Sequence, residues 1–188
     1  MKDNMSFAKD NWEEFEKLSI SILETYLPVN SEISYSITHT PNRKDGGYDG
    51  LIIISSDNEN IDQYKILSES KLRELSNKDL PMSDFSKTLI IAINLMAQKI
   101  YIFTNLHYST ETQKRIHKFS SFSNIQVELV DIFEVSDRVK ELYKTLKDTY
   151  SPTFLKKIID SVSSHPASKR VSFEKKVHIT SLSKLIGS

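Results

Sequence analysis

"DGGYDGLIIIS", residues 45–55, and "QYKILSESKLR", residues 63–73, are the stretches on which the fold turns. The chain has four glycines in 188 residues, and three of them, Gly46, Gly47 and Gly50, surround Asp49. Glycine admits positive φ and lets another backbone or a phosphate come close, so this cluster predicts a tight turn. The apolar run after it reads as a short strand. A polar turn, "SDNENID", then leads to a further strand ending in Glu69-Ser70-Lys71. Two strands joined through that turn pair as a hairpin, which brings Asp49 towards Glu69 at one end. Glu69 and Lys71 are two residues apart, and a period of two puts both on one face.

Outward from this hairpin the periodicities alternate between helix and strand. "NWEEFEKLSISILETYL" carries Trp12, Phe15, Leu18, Ile22 and Tyr26 at three- and four-residue steps, an amphipathic helix closed by Pro28. "EISYSITHT" alternates Ile33, Tyr35 and Ile37 with polar residues and reads as a strand. Downstream, "PMSDFSKTLIIAINLMAQK" predicts a helix with Phe85, Leu89, Ile93 and Met96 on its apolar stripe. "IYIFTN" is a buried-looking strand, and "STETQKRIHKF" a polar helix capped by Ser109 or Thr110. "IQVELVD" is another strand, and "VSDRVKELYKTL" a helix with Val139, Leu142 and Leu146 inward. The expected class is α/β, with a central mixed sheet flanked by helices. Residues 1–150 form the expected domain. Residues 151–188, small, polar and proline-broken around "SVSSHPASKRVS", read as a linker or extension, either leading into a further domain or docking a short terminal helix on the core.

The pattern at the hairpin end carries chemistry. Two facing carboxylates repel, and a divalent cation relieves that repulsion. Oxygen-only ligation with positions left for water suits Mg²⁺. A lysine beside them can steady an attacking water and offset charge developing on a phosphate. Asp49 and Glu69 are thus candidate metal ligands and Lys71 a candidate catalytic residue. Each fragment alone is weak: Asp-Gly and Gly-Gly are common turn formers, and Glu174-Lys175-Lys176 repeats the E-x-K spacing in a solvated charged run. The order of elements around the pair is the more specific signal.

"FEKLSISILE", "DGGYDG", "SESK" and "IYIFTN" resemble the Mrr-like branch of restriction endonucleases, within the PD-(D/E)xK nuclease superfamily, over roughly residues 10–145. The resemblance implies a restriction-endonuclease-like αβββαβ core, Mg²⁺ dependence and cleavage of DNA phosphodiesters. It matches Asp49 to the metal-binding aspartate, Glu69 to the second ligand and Lys71 to the water-positioning lysine. It also implies a helix glutamate reaching the site, for which Glu16 is a better match than Glu13 or Glu14. Many Mrr-like members carry Gln where this chain has Glu69; Glu is the more widespread choice in the superfamily. The implied setting is prokaryotic antiphage defence, as a stand-alone enzyme or as an effector fused to a sensor or ATPase module. The rival reading is a non-catalytic nucleic-acid-binding or oligomerisation module retaining the fold.

Candidate DNA contacts lie around the site. Arg43 and Lys44 precede the glycine turn and are natural phosphate contacts or a solvated turn. Asp45 could assist the metal or shape the turn. Lys65 shares the face of Glu69 and Lys71. Asn105 and Ser109 follow the "IYIFTN" strand, as phosphate contacts or as turn and cap. Lys114, with Arg115 and Lys118, could lie along a DNA backbone or form a plain exposed helix face. His39 and His107 are candidate supporting groups, and the five histidines show no zinc-like pairing.

Composition limits the alternatives. Formal net charge is zero, so DNA attraction must come from a local patch or from several copies acting together, and homo-oligomerisation on activation is expected. The absence of cysteine excludes disulfides and thiolate zinc sites and fits a reducing cytoplasm. No apolar run reaches the roughly 18–20 residues that span a bilayer, so no membrane partner is expected. Neither a phosphate-binding Gly-Lys-Ser/Thr loop nor a Gly-x-Ser-x-Gly turn occurs.

Overall fold

The computed structural model describes residues 7–27, 33–40, 47–56, 63–73 and 79–164. In chain order the elements are α1 (Phe7–Glu24), β1 (Ile33–His39), β2 (Gly50–Ser56), β3 (Tyr64–Lys71), α2 (Ser86–Asn94), β4 (Lys99–Thr104), α3 (Thr110–Ser123), β5 (Gln126–Val130), α4 (Ile132–Leu146) and α5 (Pro152–Ser164). A 3₁₀ turn, Met82–Asp84, precedes α2. The strands form one five-stranded sheet in sequential order, β1 to β5. β1–β2 and β2–β3 are antiparallel, while β3–β4 and β4–β5 are parallel, so the sheet is mixed.

The pairing explains the layers. Each parallel pair needs a crossover, and α2 and α3 supply the two. Crossovers of one hand place both helices on the same face of the sheet. That face carries Leu67, Ile100 and Ile102, which pack with Phe85, Leu89 and Ala92 at α2 and Ile116 of α3. The opposite face carries Ile52, Ile54, Ile66, Phe103 and Val130. These meet Phe15, Leu18, Ile22 and Leu23 of α1 and Val135 and Val139 of α4. The result is a three-layer α/β arrangement with a core on each side of the sheet. β1 is an edge strand whose Tyr35 stays 45% exposed, while Ile37 reaches the core.

Two expectations from the sequence differ from the structure. The packed unit does not end near residue 150: α5 buries Phe154, Leu155 and Ile158 in the same core as α1 and α4. Full burial of such side chains is worth about 1.5–3 kcal/mol each, so α5 is an integral element. Its apolar positions follow a helical period that the polar residues just downstream obscure. The expected linker from 165 onward lies outside the described residues. On α2, Phe85 and Leu89 are buried as expected, but Ile93 and Met96 are 51% and 75% exposed. The buried stripe runs instead through Thr88, Leu89 and Ala92. Met96 lies beyond the helix end with φ 52°, which turns it away from the core.

Candidate active site

The site stands where β2 begins and β3 ends. Gly50 pairs with Ser68, and continuing that antiparallel register by one residue sets Asp49 opposite Glu69. Asp49 is held as if the strand reached it: its N–H donates to the Ser68 carbonyl at 2.8 Å, and its own carbonyl accepts from the Thr40 N–H at 2.9 Å. Before it, the chain turns at Gly47, whose φ of 69° explains the glycine. The Gly47 carbonyl accepts from Thr88 Oγ1 at 2.6 Å, and the Tyr48 carbonyl from Thr40 Oγ1 at 2.5 Å, so the turn is tied to α2 and β1. Gly50 serves packing rather than conformation: a Cβ there would meet Ile20 of α1. The missing side chain lets α1 settle against the sheet.

Four functional groups meet here. Glu69 is 2% exposed; its Oε1 pairs with Lys71 Nζ, and its Oε2 has no hydrogen-bond partner among the described residues. Asp49 Oδ2 accepts from the Ser70 N–H at 2.5 Å. Glu16, from the middle of α1, comes within hydrogen-bonding reach of the Asp49 carboxyl. Burial, reinforced by the Glu69 and Glu16 charges and opposed by the Ser70 N–H and Lys71, pushes the Asp49 carboxyl up to about 8. Burial also raises Glu16, to about 7, with Glu69 adding to the rise and the Asp49 hydrogen bond and Lys71 opposing it. Asp49 and Glu16 thus hold their protons into the neutral range.

The donor set fits a hard divalent cation. All candidate donors are carboxylate oxygens, and the buried Glu69 Oε2 accepts from no donor among the described residues. Among the described residues no three His, Asp or Glu side chains are already gathered closely enough to enclose a cation. The Lys71 ammonium lies against Glu69 and supplies positive charge there.

The other expected contacts separate into two groups. Arg43, Lys44 and Asp45 lie outside the described residues. Lys65 shares the face of Glu69 but stands four residues back, roughly 13 Å along the strand. Its Nζ donates to the Leu95 carbonyl at 3.2 Å, at the C-terminal end of α2, so it serves that helix rather than the site. Asn105 is fully buried and spends both ends of its amide on the backbone of Arg73, which makes it a clamp and removes it as a phosphate contact. Ser109 is the N-cap of α3, accepting from the Thr112 N–H at 3.0 Å and donating to Thr112 Oγ1 at 3.0 Å. Lys114 is exposed on α3, and its neighbour Arg115 pairs with Glu111 at 2.7 Å. His107 Nδ1 lies 2.9 Å from Asp131 Oδ2, whose other oxygen caps α4, so this histidine ties two connections together away from the acids.

Two interactions at the site were not legible in the sequence. The Ser70 N–H carries no sequence signal, because any residue would supply it. Thr104 Oγ1, which donates to the Lys71 carbonyl at 2.9 Å and fixes the end of β3, is visible only once β3 and β4 are paired. Compared with known proteins, the chain matches no family model and no curated sequence.

Proposed function

We propose that this chain is a Mg²⁺-dependent endonuclease domain that hydrolyses DNA phosphodiester bonds. The observation that carries the reading is the convergence of Asp49, Glu69 and Lys71 at one end of the β2–β3 pair, with Glu16 brought in from α1. The element order α1-β1-β2-β3-α2-β4 supports it, being the order of the αβββαβ core that the sequence resemblance implies. A cluster of acids has little use in a pure binding surface for a polyanion, because it repels phosphate. With a cation in place it attracts phosphate instead.

Asp49 and Glu69 would hold Mg²⁺, with Glu16 as a further acidic ligand. The cation supplies Lewis-acid stabilisation of charge on the phosphoryl oxygens. Lys71 is the group free to change partner: once Glu69 has another positive charge beside it, the ammonium can turn to a water and orient it for in-line attack. Asp49 and Glu16 would be the carboxylates placed to take up the proton that this water loses. The Ser70 N–H keeps the Asp49 carboxylate aimed across the strands while this happens. Lys114 on exposed α3 is a DNA backbone contact in this reading, and Arg43 and Lys44 are phosphate contacts proposed from the sequence alone. The zero net charge of the chain supports activation by homo-oligomerisation, in which several weak DNA contacts act together. An antiphage effector, alone or fused to a sensor or ATPase module, is the setting that the resemblance favours.

The test is plasmid cleavage in Mg²⁺ over a wide protein concentration range, with Lys71→Ala and Asp49→Asn in parallel and folding followed by circular dichroism. Cleavage by the unaltered chain and loss in both folded variants supports the nuclease; a steep concentration dependence supports assembly. Equal cleavage by all three would show the site to be wrong. Duplex binding without cleavage under every condition would favour the non-catalytic module.

A further inference from the structure

Two residues past Lys71, the chain carries Arg73, a group the acidic site does not use. Its backbone is unusually well held. The Arg73 N–H donates to Asn105 Oδ1 at 2.8 Å, and Asn105 Nδ2 donates to the Arg73 carbonyl at 2.6 Å. These bonds continue the β3–β4 pairing beyond its last pair, Lys71 with Thr104, using a side chain where the partner strand has ended. Leu72 packs towards the α1 layer, so alternation sends Arg73 to the same face as Glu69 and Lys71. Strand rise separates Lys71 and Arg73 by roughly 7 Å.

The guanidinium itself is loosely engaged. Its side chain is 49% exposed, and Nε and Nη2 both donate to one oxygen of Asp84, at 3.0 and 2.8 Å. A pair this exposed contributes about 0–1 kcal/mol, so a stronger anion can replace Asp84 at small cost. The planar fork of arginine matches the oxygens of a phosphodiester and binds them as a pair. A rigid backbone, a half-exposed fork and an exchangeable carboxylate therefore occur together beside the acids.

The geometry points to Arg73 as a phosphate-contact residue of this site, gripping the phosphodiester adjacent to the one at Lys71 when it leaves Asp84. This rests on the reading of the site as a DNA phosphodiesterase. Asp84 is a competitor for the guanidinium, and Asn105 positions it.

The experiment is duplex DNA binding by fluorescence anisotropy between about 50 and 200 mM salt, where one phosphate contact is resolved by the salt slope. The full chain carries Lys71→Ala so that the duplex is not consumed, and Arg73→Gln or Asp84→Asn is added to it. Arg73→Gln weakens binding roughly fivefold near 0.15 M salt and makes the log–log slope shallower by about 0.9, equally for duplexes of unrelated sequence. Asp84→Asn tightens binding, because it frees the fork. If the Arg73–Asp84 pair serves only the fold, both variants weaken binding and both lower Tm; that same-sign result overturns the assignment. Unchanged affinity and slope in Arg73→Gln overturns it as well, while leaving the nuclease reading standing. A chain that binds no duplex at all removes the nuclease reading and the role of Arg73 together.

Discussion

The carboxylate of Asp49 accepts a 2.5 Å hydrogen bond from the N–H of Ser70, across the two strands and between the two residues that do the proposed chemistry. With the Asp49 N–H bonded to the Ser68 carbonyl, one residue both closes the β2–β3 ladder and aims an acid at the site. Asp49→Asn keeps an acceptor but removes the charge, whereas Asp49→Ala leaves the Ser70 N–H unpaired and costs about 1–3 kcal/mol of stability. Both variants lose the rise in Tm that Mg²⁺ gives the unaltered chain. Thermal unfolding with and without Mg²⁺ separates these effects.

The raised carboxyls set a pH dependence whose direction is determinate. Asp49, at about 8, and Glu16, at about 7, bind their protons more tightly folded than unfolded, where they titrate at 3.8 and 4.5. Between those limits the native state holds more protons, so stability falls as pH rises. The contribution is complete below roughly pH 4 and lost through roughly pH 8. Denaturant unfolding of the cation-free protein therefore gives lower stability at pH 8 than at pH 5. Asp49→Asn flattens that slope, and Mg²⁺ stabilises the unaltered chain more at pH 8 than at pH 5.

Lys71 is a structural partner of Glu69 as well as the proposed catalytic group. Lys71→Ala leaves a carboxylate that is 2% exposed without its ammonium. The cation-free variant loses about 1–3 kcal/mol, the scale of a buried polar group left unpaired. Mg²⁺ restores most of that loss while cleavage stays down by about 10²–10³-fold, the usual cost of removing a preorganised donor at the reacting centre. Paired chemical-denaturation and single-turnover measurements test this; a loss of stability that Mg²⁺ does not touch would separate the lysine from the cation site.

At the glycines the two substitutions fail for different reasons. Gly47→Ala forces a side chain into the left-handed region and towards Ile91, costing about 1–2 kcal/mol. Gly50→Val pushes against Ile20 and lifts α1, which carries Glu16. It lowers Mg²⁺ affinity beyond its effect on stability, whereas Gly47→Ala acts mainly on stability. Calorimetric titration of Mg²⁺ into each variant distinguishes them.

Helix α5 is predicted to be indispensable. Phe154→Ala opens a cavity against α1 and α4 and costs about 3–5 kcal/mol. A chain ended at residue 150 exposes the core that Phe154, Leu155 and Ile158 cover and fails to unfold cooperatively. Urea titration of the shortened chain with a fluorescence readout checks this.

What the sequence determined by itself is what depends on near neighbours. Alternation in "EISYSITHT" and the 3.6-residue stripe of Phe15, Leu18 and Ile22 specify element type, because period decides which side chains share a face. The facing of Asp49 and Glu69 belongs to the same class, since one turn and a hairpin register are enough to imply it. Tertiary structure decided everything that depends on distant partners. Asn105 was legible only as a phosphate contact or a turn residue after a strand, and the nearby Arg73 backbone made it a clamp; Ser109 was legible as a cap or a phosphate contact, and the start of α3 decided for the cap. Lys65 shares the right face but was claimed by the end of α2, and Ile93 fits a helical stripe that the sheet does not cover. Glu16 stands some thirty residues from Asp49 in the chain, and only the packing of α1 over Gly50 brings it to the acids. Local periodicity reports the face a side chain occupies; what waits on that face is set by how the layers close.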